Sequence, residues 1–169
     1  AVFNGLITDY DGQAHTIEVA GLPEGVTVSY ENNSGTKAGE YNAVATFALS
    51  EELQENYNAV SPATMSATLK INKKSYVLPD SVVFNGLTTD YDGQAHTIEV
   101  EGLPEGITAN YVDNTATKAG EYNAVATFVL SEELQENYDA VSPATMSATL
   151  TINKIAYTLP ENVVFNNGV

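Results

Sequence analysis

One set of motifs recurs along this chain at a fixed spacing, and nothing else constrains the fold as strongly. DYDGQAHTIEV spans Asp9–Val19 and returns at Asp90–Val100. KAGEYNAVATF spans Lys37–Phe47 and returns at Lys118–Phe128, and every offset is 81 residues. Set against each other, residues 1–73 and 82–154 differ at 13 of 73 positions. YTLPENVVFN at Tyr157–Asn166 echoes YVLPDSVVFN at Tyr76–Asn85, so a third copy opens at the end. A repeat of this length must fold as a unit with its own core. The division expected is 1–73 as a first domain lacking its N-terminal strand, 74–154 as a second, and 155–169 as the start of a third. Because Ala1 stands in mid-pattern, the chain is read as a piece of a longer protein.

The aromatic residues mark where each core lies. All ten tyrosines fall at five repeat positions, 10/91, 30/111, 41/122, 57/138 and 76/157, and the phenylalanines at 3/84/165 and 47/128. Aromatics carry the largest buried area per residue, so recurrence at fixed positions points to packing. Tyr122, Ala124, Ala126, Phe128 and Leu130 alternate with Asn123, Val125, Thr127 and Val129, and Met146, Ala148, Leu150 and Ile152 alternate in the same way; period two means strands. His96, Ile98 and Val100 line one side of a shorter strand. Asp92-Gly93 and Leu103-Pro104-Glu105-Gly106 are turn chemistry, and Asp113–Gly120 reads as a polar loop. Only Ser131–Tyr138 suits a helical turn, with Ser131 as N-cap. These spacings predict an all-β chain of two tandem immunoglobulin-like sandwiches in an elongated array. Tyr41 and Tyr122, entering the longest strand, suit a tyrosine corner. A β-grasp repeat with one short helix is the alternative.

Charge and composition then remove whole classes of function. The chain has 6 Lys, no Arg and 22 acidic residues, a net charge of −16. Phosphate backbones and anionic lipid surfaces repel such a chain, and no guanidinium is present for bidentate phosphate recognition. With no cysteine, disulfides, thiolate nucleophiles and Cys-ligated zinc are excluded. Apolar runs stop far short of the roughly 20 residues that span a bilayer.

Candidate sites are few. His15 and His96 are the only histidines, one per copy, a whole repeat apart, so they cannot share one metal ion. No HExxH, GxSxG or phosphate-cradling glycine loop occurs, so no catalytic residue and no enzyme is expected. Asp9 and Asp11, and likewise Asp90 and Asp92, form an Asp-x-Asp-Gly fragment of an oxygen-ligand loop. The downstream acid of a full calcium loop is missing, which favours a plain turn over a calcium site. No other cofactor is expected. A lysine cross-link would need Lys37, Lys118, Lys73 or Lys154 in a core, whereas all four stand in polar turns or at the repeat junction. Seven of the 13 differences fall in Val26–Gly35 and its counterpart. Tyr30, Glu31 and Asn32, with Tyr111, Val112 and Asp113, are therefore the candidate ligand-contacting loop, against simple drift on an exposed turn.

YDGQAH, GLPEG[VI]T, KAGEY and the closing ATLxINK, in this order and spacing, resemble the YDG/MBG-type β-rich repeats of bacterial surface proteins. Tyr10-Asp11-Gly12 and Tyr91-Asp92-Gly93 match that signature, and Lys37 and Lys118 stand where an acid is frequent. The resemblance implies tandem repeats of large, mostly Gram-positive, cell-wall-anchored adhesins, extracellular and without catalytic residues. The function expected is a stalk or spacer that projects a distal domain from the cell wall. The alternative is weak, multivalent binding of host glycan or protein through avidity. Expected partners are neighbouring repeats, with neither nucleic acid nor membrane insertion. In solution a monomer is expected, with head-to-tail association open to it. Tyr76–Phe84 is expected as the first strand of the second domain, bent at Pro79. Val163-Val164-Phe165 would then fill the matching edge of a neighbouring molecule's first domain.

Overall fold

A computed structural model describes Ala1–Asn166; the last three residues of the third-copy segment lie outside the described residues. Strand accounts for 51% of the described residues and helix for 5%, which makes the fold all-β. The first copy runs β1 (Val2–Phe3), β2 (Leu6–Asp9), β3 (His15–Thr16), β4 (Val19–Ala20), β5 (Val26–Glu31), β6 (Ser34–Gly35), β7 (Gly39–Leu49), α1 (Glu51–Gln54) and β8 (Thr64–Asn72). After it come β9 (Lys74–Val77), β10 (Val83–Phe84), β11 (Leu87–Asp90), β12 (His96–Thr97), β13 (Val100–Glu101) and β14 (Ile107–Val112). The chain continues through β15 (Thr115–Ala116), β16 (Gly120–Leu130), α2 (Glu132–Gln135), β17 (Tyr138–Ser142) and β18 (Thr145–Asn153).

Each copy builds one four-stranded sheet, in the order β2-β8-β7-β5 and again β11-β18-β16-β14. The edge strand β2 runs parallel to β8, while β8 with β7 and β7 with β5 are antiparallel. Facing this sheet are the ribbons β1-β4 and β3-β6. Gly5 lets the chain cross from one layer to the other: a Cβ there would stand 2.6 Å from the Thr68 carbonyl oxygen. A first strand split between two layers, closing in parallel on the last, is the immunoglobulin-like arrangement. The β-grasp alternative needs a helix packed on the sheet, whereas α1 and α2 are single turns without a buried residue.

The core lies between the layers. Ile17, Ala43, Leu69 and Ile71 are buried together, with Phe3, Tyr10 and Tyr41 packed around them. Ile98, Ala124, Leu150 and Ile152 do the same in the second copy, with Phe84 and Tyr122. Alternation in β7 and β16 places Ala43/Ala45 and Ala124/Ala126 inward, as period two requires. Ser50 and Ser131 cap the helical turns, each Oγ accepting the N–H of Leu53 or Leu134 at 3.2 Å. Contacts divide the chain into two compact units, Ala1–Tyr76 with Leu130–Val141, and Val77–Val129 with the residues from Ser142 onward.

Four local expectations need correction. Tyr76–Phe84 is not one strand: β9 ends at Val77 and β10 begins at Val83, separated by a turn in which Val82 N donates to the Pro79 carbonyl at 3.0 Å. Proline fixes φ and offers no N–H, so the ladder breaks there. The first copy's edge is not open at the position proposed for Val163-Val164-Phe165, because Val2 and Phe3 already pair with Ala20 and Val19. The polar loop Asp113–Gly120 contains β15, which pairs with β12. The strand carrying His96, Ile98 and Val100 is broken after Thr97. Ile98 N there bonds the Asn114 carbonyl at 2.9 Å, and Asn114 Nδ2 returns a bond to the Ile98 carbonyl at 3.0 Å.

Candidate functional site

The Asp-x-Asp-Gly turns direct their two carboxylates to different partners. Asp11 Oδ1 accepts the N–H of Gln13 and lies 2.9 Å from His15 Nε2; Asp92 repeats both contacts with Gln94 and His96. The Gln13 N–H, then His15, holds the Asp11 carboxyl below the usual carboxylate range, and Gln94 and His96 do so for Asp92. Gly12 and Gly93 follow at φ +77°, so Asp-Gly works as a turn. Asp9 and Asp90 instead accept from Asn72 and Asn153 Nδ2 at 3.3 Å. Among the described residues no group of three or more acidic or histidine side chains is placed to hold a metal.

Tyr30 and Tyr111, from the candidate contact loop, face inward. Tyr30 Oη accepts the Val19 N–H at 2.8 Å and its ring lies 5.8 Å from Phe3; Tyr111 does the same with Val100 and Phe84. These bonds tie β5 and β14 to the opposite layer. Glu31, Asn32, Val112 and Asp113 are exposed. Asn32 and Asp113 take φ +57° and +58°, the left-handed corner that Asn and Asp tolerate best.

Tyr41 and Tyr122 form tyrosine corners: their hydroxyls donate to the carbonyls of Lys37 and Lys118 at 2.7 and 2.8 Å. The lysines themselves are exposed, as are Lys73 and Lys154. Lys37 Nζ is 3.8 Å from Glu136, with both side chains more than half exposed, a pair worth little.

Sequence reasoning missed a further cluster in the first unit. The Tyr138 ring meets Tyr10 edge-on at 5.5 Å and Tyr76 at 5.1 Å. Desolvation, then the two neighbouring phenols, pushes the Tyr138 hydroxyl above its ordinary value. Asn137 Oδ1 accepts from Ala38 N at 2.9 Å. The available signal was the exact recurrence of LSEELQENY, more than one helical turn needs.

Open surface features are shallow clefts. One of about 730 Å³ runs along Gln54–Val60 beside Phe47 and Leu49. Another of about 650 Å³ lies between Tyr91, Lys118 and Ala119 and the segment Lys154–Thr158. Among the described residues no helix is long and apolar enough to cross a membrane.

No protein-family model matches the chain, and no curated protein sequence does. Among solved structures it is similar to titin domains Z1Z2 in their complex with telethonin. Identity is 14% over 91% of this chain and 94% of that one, with a TM-score of 0.35. It is also similar to the fibronectin(III)-like modules of CbhA from Clostridium thermocellum, at 12% identity, 92% and 94% coverage and a TM-score of 0.21. A third is a SusE-like surface-located polysaccharide-binding protein of Bacteroides thetaiotaomicron, at 9% identity, 91% and 34% coverage and a TM-score of 0.26. At these TM-scores no argument is built on the likeness, and the strand order above defines the fold.

Proposed function

We propose that the chain is a pair of spacer repeats from an extracellular, wall-anchored bacterial surface protein, holding a distal domain away from the cell. One observation carries this reading: the same hydrogen-bonding side chains hold the sandwich together in both copies. Asp11 and His15 close a turn, Tyr30 bridges the layers, and Tyr41 clamps the corner, each with an identical counterpart. A repeat whose recurring hydrogen-bonding side chains hold its own turns and layers together serves by being folded, and a parallel edge zipped to the last strand resists extension through several backbone bonds at once. The YDG-type motifs and the lack of catalytic motifs support the same reading, as does the acidity, which limits self-association.

Pulling a tandem array end to end tests it. A spacer unfolds in equal steps, each releasing about one 81-residue repeat. An array that extends without force peaks is no load-bearing stalk. The avidity alternative rests on the exposed, copy-variable Glu31-Asn32 and Val112-Asp113 turns. A glycan array probed with one repeat and with four separates the two: binding by four that one lacks favours avidity.

A further inference from the structure

β5 and β14 stand last in their four-stranded sheets, and among the described residues no strand pairs with their outer side. Both lie in the interior of a repeat, at the same place in each unit. Ser50 N donates to the Gly25 carbonyl at 2.7 Å, in line with the pairs Thr27–Ala48, Ser29–Thr46 and Glu31–Val44. Backbone bonds alternate along an antiparallel strand, so Val28 and Tyr30 turn their N–H and C=O groups outward. Their counterparts on β14 are Ala109 and Tyr111. Such a row is a template for one more strand unless a charge blunts it.

Only one of the two edges is blunted. β5 reads VTVSYE and ends on Glu31, whereas β14 reads ITANYV and carries no charge, its acid standing one residue further on at Asp113. Val112 is 62% exposed on the outer face, and Val129 is 40% exposed where the first copy has Ala48. The recurring register sets Val112 beside Val125 and Thr108 beside Val129. Two of the 13 differences between the copies thus make the same strip aliphatic, in a chain of net charge −16. The opposite edge changes the other way: Ile7 on β2, an exposed side chain, is Thr88 on β11.

We infer that β14 pairs with β14 of a second copy of this chain, antiparallel about a twofold axis. Opposed side chains share a face, so the axis passes through a residue rather than between two. With Asn110 on the axis, Ala109 of each strand exchanges both backbone bonds with Tyr111 of the other. An axis through Ala109 would instead call on Ile107, whose N–H is already closed on the Pro104 carbonyl at 3.2 Å. On the outer face Asn110 meets its own copy in a non-hydrogen-bonded pair, where side chains come closest. Thr108 stands opposite Val112 at either end, a pair of β-branched side chains that suits a sheet. Along the paired residues no charge faces a like charge. The interface is isologous, so it closes at two copies. It concerns recognition between copies and does not depend on the spacer reading.

Sedimentation equilibrium on the intact chain tests this, at about 0.15 M salt so that the acidic surfaces are screened from each other. The average mass should rise with concentration and level off at twice that of one chain. Val112→Glu should weaken association roughly tenfold or more. The strand itself tolerates that side chain, since β5 carries Glu31 at the same place. Ile7→Thr, at the opposite edge of the first unit, should leave association unchanged. Amide exchange reads the register: Ala109 and Tyr111 should slow as the dimer forms, while Val28 and Tyr30 keep their rates. A single mass at all concentrations overturns the inference. So does undiminished association of the Val112→Glu chain, equal weakening by Ile7→Thr, or a dimer in which Ala109 and Tyr111 exchange as before.

Discussion

A Cβ on Gly35 would run into the ring of Tyr41, and the second copy carries that very Cβ in Ala116 beside Tyr122. The ring accommodates it by moving toward the neighbouring glycine. A Cβ on Gly120 would be 3.4 Å from the Tyr122 ring, against 3.8 Å for Gly39 and Tyr41. Both tyrosines keep their hydroxyl bond to the lysine carbonyl. The chain therefore holds, in its own second copy, the relaxed answer to a substitution in its first. Gly35→Ala should change stability by less than about 1 kcal/mol, since the added methyl reduces the freedom of the unfolded chain as well. Gly5→Ala and Gly86→Ala should be far worse. There the Cβ meets the carbonyl oxygen of Thr68 or Thr149 at 2.6 Å, backbone in the middle of a paired strand that cannot step aside. A loss of about 2 kcal/mol or more is expected. Urea unfolding of the three variants gives the ranking, and equal costs for Gly35→Ala and Gly5→Ala would contradict it.

The tyrosine corners should be separable from the packing of their rings. Tyr41→Phe removes the hydroxyl bond to Lys37 and keeps the ring, so about 1 kcal/mol should be lost, and the same for Tyr122→Phe. Tyr41→Ala should cost several times more, because the ring packs against Ile17, Ala43, Leu69 and Ile71. Chemical denaturation of the Phe and Ala variants measures the two contributions apart.

Acid should act on the Asp-Gly turns. Asp11 and Asp92 are held below the ordinary carboxylate range, first by the backbone N–H two residues on and then by the histidine. A carboxylate with a depressed folded-state value stabilises at pH above its unfolded value, and that contribution is lost as pH falls through the folded one. The double variant Asp11→Asn/Asp92→Asn should therefore melt below the parent by a constant margin from pH 7 to about pH 5. The margin should close below about pH 4. A gap that persists unchanged to pH 2 would mean these carboxylates contribute through neutral hydrogen bonding only.

Most of the sandwich is legible in the sequence because period-two alternation is a direct consequence of strand geometry. Tyr122 through Leu130 and Met146 through Ile152 read correctly for that reason. The Ser50 and Ser131 caps and the Gly12 and Gly93 turns are equally local. The short ribbons are not. His96–Thr97 and Val100–Glu101 are held by long-range bonds from Asn114 and Tyr111, and such partners leave no trace in local pattern. Tyr30 and Tyr111 show the limit for sites: a tyrosine beside variable residues invites a binding role, and only the bonds to Val19 N and Val100 N reveal that it ties two layers together.

Leu69 and Leu150 allow a comparison within one molecule. Each is fully buried at the centre of its own cluster, paired in register with Leu6 or Leu87 on the parallel edge and with Tyr41 or Tyr122 on the other side. Truncation to alanine removes the same atoms in both. The surroundings differ in two places: Ala116 in the second cluster replaces Gly35 in the first, and Tyr10 packs on the first cluster while its counterpart Tyr91 is exposed. Leu→Ala in a tight core costs about 2–5 kcal/mol, the spread reflecting how far the site can collapse. The first cluster has the smaller neighbour, so the Tyr41 ring has more room to move into the space left by Leu69. Leu69→Ala should therefore fall at the lower end of that range and Leu150→Ala at the upper end. Urea titration followed by tyrosine fluorescence measures both; a Leu69→Ala variant less stable than Leu150→Ala would show that ring movement does not relieve the cavity.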